Sequence, residues 1–160
     1  MPFTPFHLGP GLLGGVLFKR QLDALTFVLA SVIVDFRAAL VLFGLLGGRL
    51  HGPVHTYLGA TVLSVVLTAT VVLTARHTQS LNRINFSPHS VRHVLVGAIA
   101  GSWLHVTLDS VLYTDIRPFA PLSVNPLFGT AGLGLVYGGC LLALVVGCGV
   151  ALSQYHRASV

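Results

Sequence analysis

The chain of 160 residues is 54% hydrophobic and 8% charged, whereas a soluble domain carries roughly 25% charged residues. It contains no glutamate, and its formal net charge is +5. This composition excludes an ordinary soluble domain, so we expect residues 1–160 to form a single transmembrane helical domain. The nine basic residues are spread thinly and are not interleaved with aromatic residues. Nucleic acid is therefore not an expected partner.

Five apolar runs predict the helices in chain order. The first run, 7–18, rises only about 18 Å as a helix and is expected to cross part of the membrane. The four later runs each reach the roughly 20 residues that a spanning helix needs. They cover 22–46, 54–75, 89–112 and 130–153. The prediction is an all-α, polytopic membrane helical bundle with four full spans plus a short N-terminal half-spanning helix. Ser87 before Pro88 is typical of an N-cap for the span over 89–112.

The last run, "GTAGLGLVYGGCLLALVVGCGV", is rich in glycine at spacings that favour close contact between helices. We expect this helix to be the contact surface of any oligomer or larger membrane complex. Its two cysteines, Cys140 and Cys148, lie too far apart along one helix to form a disulfide.

The basic residues predict the orientation in the membrane. One membrane face, here called the Lys19 face, receives six of them: Lys19, Arg20, Arg76, Arg83, Arg92 and Arg157. The opposite face, here called the Arg49 face, receives only Arg49 and Arg117. Because basic loops stay in the cytoplasm, we expect an inner-membrane protein with a cytoplasmic C-terminus.

Histidine and aspartate residues collect in the half of the bundle near the Arg49 face. At about 1.5 Å per helical residue, they lie about 18 Å or more from the Lys19 face. They are His7, Asp35, His51, His55, His105 and Asp109. The other four histidines fall at the Lys19 face, where interfacial positions explain them: His77, His89, His93 and His156. The site is thus expected toward the extracytoplasmic side.

A metal ion accounts for this polar layer better than isolated hydrogen bonds do. A single histidine in an apolar helix is usually bonded to a carbonyl, but a buried carboxylate costs several kcal/mol unless it is paired or bound to a metal. Arg37 lies two residues from Asp35, and such residues do not share a helix face. His105 and Asp109 do share one, because they are four residues apart. Imidazole and carboxylate ligands without paired thiolates suit Zn²⁺, with Mn²⁺ or Fe²⁺ as alternatives.

The blocks "MPFTPFHLGPGLL", "LASVIVDF", "LHGPVHTYLGAT", "WLHVTLDS" and "DIRPFAPLS" resemble the membrane-bound metal-dependent hydrolases of the LexA-regulated inner-membrane family. The resemblance covers roughly residues 1–128. More distantly, the order of the ligand types is similar to that of the all-α zinc phospholipase C and P1-type nuclease group, which hydrolyses phosphate esters with clustered zinc ions. Carried over to this chain, the ligands would be His7, Asp35, His51 or His55, His105 and Asp109.

The resemblance implies a membrane-embedded metal-dependent hydrolase of a lipid-linked ester, with a phosphate ester as the first expectation. The chain has no second His-x-x-x-Asp or His-x-x-x-Glu after Asp109, so one or two ions are expected rather than three. Asp35 is a candidate general base, and Arg117 is a candidate phosphate ligand.

Two alternatives to a hydrolase remain. The first is a non-catalytic subunit of a larger membrane complex, either structural or ligating a pigment or haem. The second is a transporter or ion channel.

Overall fold

The computed structural model describes residues 5–80 and 90–158, and every regular element in these ranges is a helix. Four segments are long and apolar enough to cross a membrane, which makes the chain an integral membrane protein, and a shorter apolar helix precedes them. This confirms the predicted polytopic helical bundle. The helices are α1 Pro5–Leu17, α2 Ala24–Ile33, α3 Phe36–Leu42, α4 Tyr57–Ser80, α5 Val91–Leu112 and α6 Leu133–Ala158, with a 3-10 helix at Pro53–His55.

The first full span is interrupted, whereas the sequence predicted one helix over 22–46. α2 ends at Ile33 and α3 begins at Phe36. At the break, the backbone N–H of Asp35 donates to the carbonyl of Val32 at 3.1 Å, a bond that tightens the turn in place of the regular α-helical bond to the fourth residue back. This break has no sign in the sequence, which contains neither glycine nor proline between residues 24 and 42.

Close packing of α5 against α2 positions the polar residues further along α5. A Cβ atom at Gly97 would lie 2.7 Å from the carbonyl oxygen of Asp23, and one at Gly101 would collide with the carbonyl oxygen of Phe27. Only glycine therefore allows the two backbones to approach this closely. Gly97, Gly101, His105 and Asp109 follow one another at intervals of four, so the face of α5 that packs on α2 continues into the histidine and the aspartate.

The remaining helices complete the bundle around this pair. α4 packs on the other side of α5, and α1 packs against both α2 and α6. α4 and α5 are joined by a hydrogen bond of 2.6 Å between the hydroxyl groups of Ser64 and Ser102. α6 contacts α1 closely at Gly147, whose Cβ would lie 3.0 Å from the amide nitrogen of Leu13.

Helix ends meet near the predicted Lys19 face. The backbone N–H of Asp23 donates to the carbonyl of His93 at 3.0 Å, and Lys19 donates to the side chain of Gln154 at the end of α6. His77 and His156 are exposed at helix ends. Arg83, His89 and the predicted N-cap Ser87 lie outside the described residues.

Candidate metal centre

Four buried side chains converge between the helices. They are Asp35 from the α2–α3 break, His55 from the 3-10 helix, and His105 and Asp109 from α5. Each offers one ligand atom, and these four atoms lie within 4.8 Å of one another. The four residues are at most 5% exposed, so bulk water does not solvate them. This group could hold a metal ion, and we call it the His/Asp group.

Asp35 occupies a position where an aspartate usually caps a helix, but it makes no such bond. It precedes α3, and its side chain forms no cap hydrogen bond. Asp23 provides the contrast, because its carboxylate precedes α2 and accepts bonds from the backbone N–H and the hydroxyl of Thr26 at 2.9 and 2.7 Å. The Asp35 carboxylate is instead directed into the His/Asp group, where an oxygen lies 3.4 Å from Nε2 of His55 and of His105.

A backbone contact sets the orientation of His105. Its Nδ1 lies 2.9 Å from the carbonyl oxygen of Ser31, so Nδ1 carries the hydrogen and, in the neutral ring, Nε2 presents its lone pair. That Nε2 atom lies 3.2 Å from a carboxylate oxygen of Asp109. A backbone carbonyl that accepts a hydrogen bond from one ring nitrogen typically fixes the orientation of a histidine whose other nitrogen binds a metal.

Several polar atoms of the His/Asp group are buried without a hydrogen bond, and they show whether the group suits a metal ion. Among the described residues, Nε2 of His105 and both carboxylate oxygens of Asp109 have no hydrogen-bond partner. The nearest ring nitrogens, Nε2 of His7 and Nε2 of His105, lie within ion-pair distance of Asp109, at 3.2 Å. Buried unpaired acceptors are costly, and a cation among them would satisfy them together. The residues therefore fit a divalent ion.

His55 links the buried group to the surface. Its Nε2 lies 3.4 Å from Asp35 and 3.8 Å from Asp109. Burial lowers the pKa of His55 below its ordinary value of 6.5, and the hydrogen bond with Asp35 only partly offsets this effect. The ring is therefore neutral at neutral pH, which is the form that binds metals.

His7 and His51, the other two predicted ligands, lie beside the group. His7 stacks on His105 with ring centroids 3.9 Å apart, and its Nε2 lies 3.2 Å from Asp109. Nδ1 of His51 instead lies 3.0 Å from both carboxylate oxygens of Asp115. His51 precedes the 3-10 helix Pro53–His55, so the two histidines do not share an α-helical face, although their ring centroids lie 4.9 Å apart.

A cavity of about 380 Å³ adjoins the group on the side of His55. Arg117, the predicted phosphate ligand, lies in its wall and not among the four converging side chains. Sequence reasoning missed two other arginines of this wall, Arg37 and Arg49, because it treated the first only as a neighbour of Asp35 and the second only as a topology marker. The charged and histidine residues that line the cavity are Arg37, Arg49, His51, His55, Asp115 and Arg117.

Comparison of the chain with family models, curated proteins and solved structures finds no significant match. The resemblance to membrane-bound hydrolases therefore remains a prediction from the motifs. The chemistry of the site rests on its own geometry: two carboxylates and two imidazoles converge, one imidazole is oriented by a carbonyl, and a cavity borders another.

Proposed function

We propose that this protein is a membrane-embedded metal-dependent hydrolase that acts on a lipid-linked ester, with a phosphate ester as the preferred substrate. The observation that carries the proposal is the contact between the buried His/Asp group and the cavity at His55. A closed four-ligand group would suit a structural ion, whereas a group that borders a cavity offers a position for water and substrate.

Each residue of the group has a role in this proposal. His55, His105 and Asp109 hold the ion, and Ser31 keeps His105 in the ligating tautomer. Zn²⁺, or alternatively Mn²⁺ or Fe²⁺, would supply Lewis acidity and lower the pKa of water toward about 7. Asp35 either completes the ligand set or accepts a proton as general base. The helix break that directs its carboxylate inward supports both roles.

The membrane setting supports a lipid-linked substrate. Exposed leucine, valine and phenylalanine side chains cover the outer faces of the spanning helices, so an ester carried by a lipid can reach the site from the bilayer. We further propose the inner membrane as the location, with the C-terminus in the cytoplasm and the site on the extracytoplasmic side. The excess of basic residues at the Lys19 face supports this orientation.

Hydrolysis assays in micelles test the function. Purified protein loaded with Zn²⁺ should hydrolyse a lipid phosphate ester, and a chelator should abolish the activity. Asp35→Asn, which keeps the shape of the side chain, should lose activity, whereas the exposed His156→Gln should retain it. Activity that survives complete metal removal would contradict the proposal. A metal-loaded protein that hydrolyses no lipid-linked ester would instead favour the non-catalytic subunit.

A further inference from the structure

The cavity beside His55 has a strongly basic wall. Arg37, Arg49 and Arg117 line it, and Asp115 is the one acidic residue among the described lining residues. The Asp115 carboxylate is already in contact with His51, at 3.0 Å. Three arginines therefore line the cavity, and the one acidic residue beside them is already in contact with a histidine.

Arg37 is held in place, although it extends from the spanning helix α3. Its guanidinium donates to the backbone carbonyl of Arg49 and lies 3.4 Å from that of Leu50. The backbone of Gly52 passes against the same group, since a Cβ there would lie 2.7 Å from Nη1 and 2.9 Å from Cζ. The absence of a side chain at Gly52 thus makes room for an oriented guanidinium at the edge of the cavity.

The surroundings of the cavity combine this charge with apolar surface. The chain between α3 and the 3-10 helix exposes four large hydrophobic side chains: Phe43, Leu45, Leu46 and Leu50. This segment follows the end of the first span at Leu42, and Arg49 lies within it. A ligand with an anionic head and an apolar tail would find complementary surfaces next to each other here.

We propose that Arg37, Arg49 and Arg117 form a binding subsite for a phosphomonoester group at the head of a lipid. Planar guanidinium groups match the tetrahedral oxygens of a phosphate and remain charged at all relevant pH values. The volume of about 380 Å³ lies at the lower end of the usual range for small-molecule sites, which suits a headgroup rather than a whole lipid. The inference rests on the proposed function only for hydrolysis of the bound lipid. Binding of the lipid headgroup to the three arginines does not depend on that function.

Binding to metal-free protein tests the subsite separately from catalysis. We would titrate chelator-treated protein in a neutral detergent with short-chain phosphatidic acid, diacylglycerol and inorganic phosphate, and follow the heat of binding. Phosphatidic acid should bind about tenfold or more tightly than either of the others, because only it has both the anion and the tail. Arg49→Gln/Arg117→Gln should remove this preference, and Arg92→Gln, an exposed arginine at the start of α5, should not.

Three further variants and outcomes separate the possibilities. Arg37→Lys keeps the charge and should weaken binding less than Arg37→Gln; both should retain Zn²⁺ affinity, which checks that the fold is intact. Asp109→Asn should lose Zn²⁺ and still bind phosphatidic acid. Equal binding of phosphatidic acid and diacylglycerol would overturn the subsite, and inorganic phosphate as tight as phosphatidic acid would overturn its assignment to a lipid. Intact binding without hydrolysis would contradict only the proposed function.

Discussion

Asp109→Asn removes one negative charge from the His/Asp group without changing the size of the side chain. Asp109 is 1% exposed, so water does not replace the lost ligand. Its carboxylate lies 3.2 Å from His105 Nε2 and 3.8 Å from His55 Nε2, so it is close to both histidines of the His/Asp group. The substitution therefore isolates the contribution of one ligand to metal binding.

The expected loss follows from the four-ligand arrangement. Structural zinc sites bind with about 10–16 kcal/mol, and an equal share among four ligands is about 2.5–4 kcal/mol. At about 1.4 kcal/mol per tenfold change, the dissociation constant for Zn²⁺ should rise about 100- to 1000-fold.

A competition assay with a chromophoric chelator on detergent-solubilised protein measures this change. His156→Gln is the control, because it removes an exposed histidine at the end of α6 and should leave the dissociation constant unchanged. Thermal denaturation followed by circular dichroism in the absence of metal checks that each variant is folded. Equal Zn²⁺ affinity in folded Asp109→Asn and in the control would refute the metal site, and the group would then be an internal ion-pair network.

Three further predictions test packing, capping and protonation. Gly101→Leu should lower the melting temperature and weaken Zn²⁺ binding, because the new side chain collides with the α2 backbone. Gly47→Leu, in the loop after α3 with open space around it, should change neither. Unaltered melting of Gly101→Leu would contradict the packing argument. Asp23→Ala should cost about 1 kcal/mol of unfolding free energy in denaturant titrations by removing a helix cap, with Zn²⁺ affinity unchanged. The pKa of His55 lies below 6.5, so its ring is neutral and able to bind Zn²⁺ at neutral pH. The difference in Zn²⁺ affinity between the unmodified protein and His55→Ala should therefore persist at neutral pH and disappear as falling pH protonates the ring. A loss of this difference already above pH 6.5 would contradict the prediction.

The number of spans could be predicted from the sequence because the membrane requires long apolar runs, and these are visible without a structure. The break at Asp35 could not, since no glycine or proline marks it in the sequence. Its position depends on contacts with His55 and His105, which come from distant parts of the chain. Tertiary structure therefore decided where the helix stops.

The candidate site was only partly predictable for a related reason. The spacing of His105 and Asp109 defines a shared helix face, so the sequence indicated their proximity directly. The equal spacing of His51 and His55 defines no such face, because His55 belongs to the 3-10 helix Pro53–His55 and His51 precedes it. The arginine cavity has no local signature, since its wall is assembled from Arg37 on α3 and from the segments 49–56 and 115–120, which meet only in the folded chain.

The interval of four from Gly97 to Asp109 on α5 makes this helix sensitive to length as well as to residue type. One residue inserted between Gly101 and His105 would rotate everything beyond it by about 100°, although the helix would stay apolar and long enough to span. His105 and Asp109 would then leave the face that packs on α2. An insertion in the exposed loop after α3 would rotate no such face. Deletions and insertions, more than hydrophobic substitutions, should therefore separate membrane insertion from assembly of the buried site.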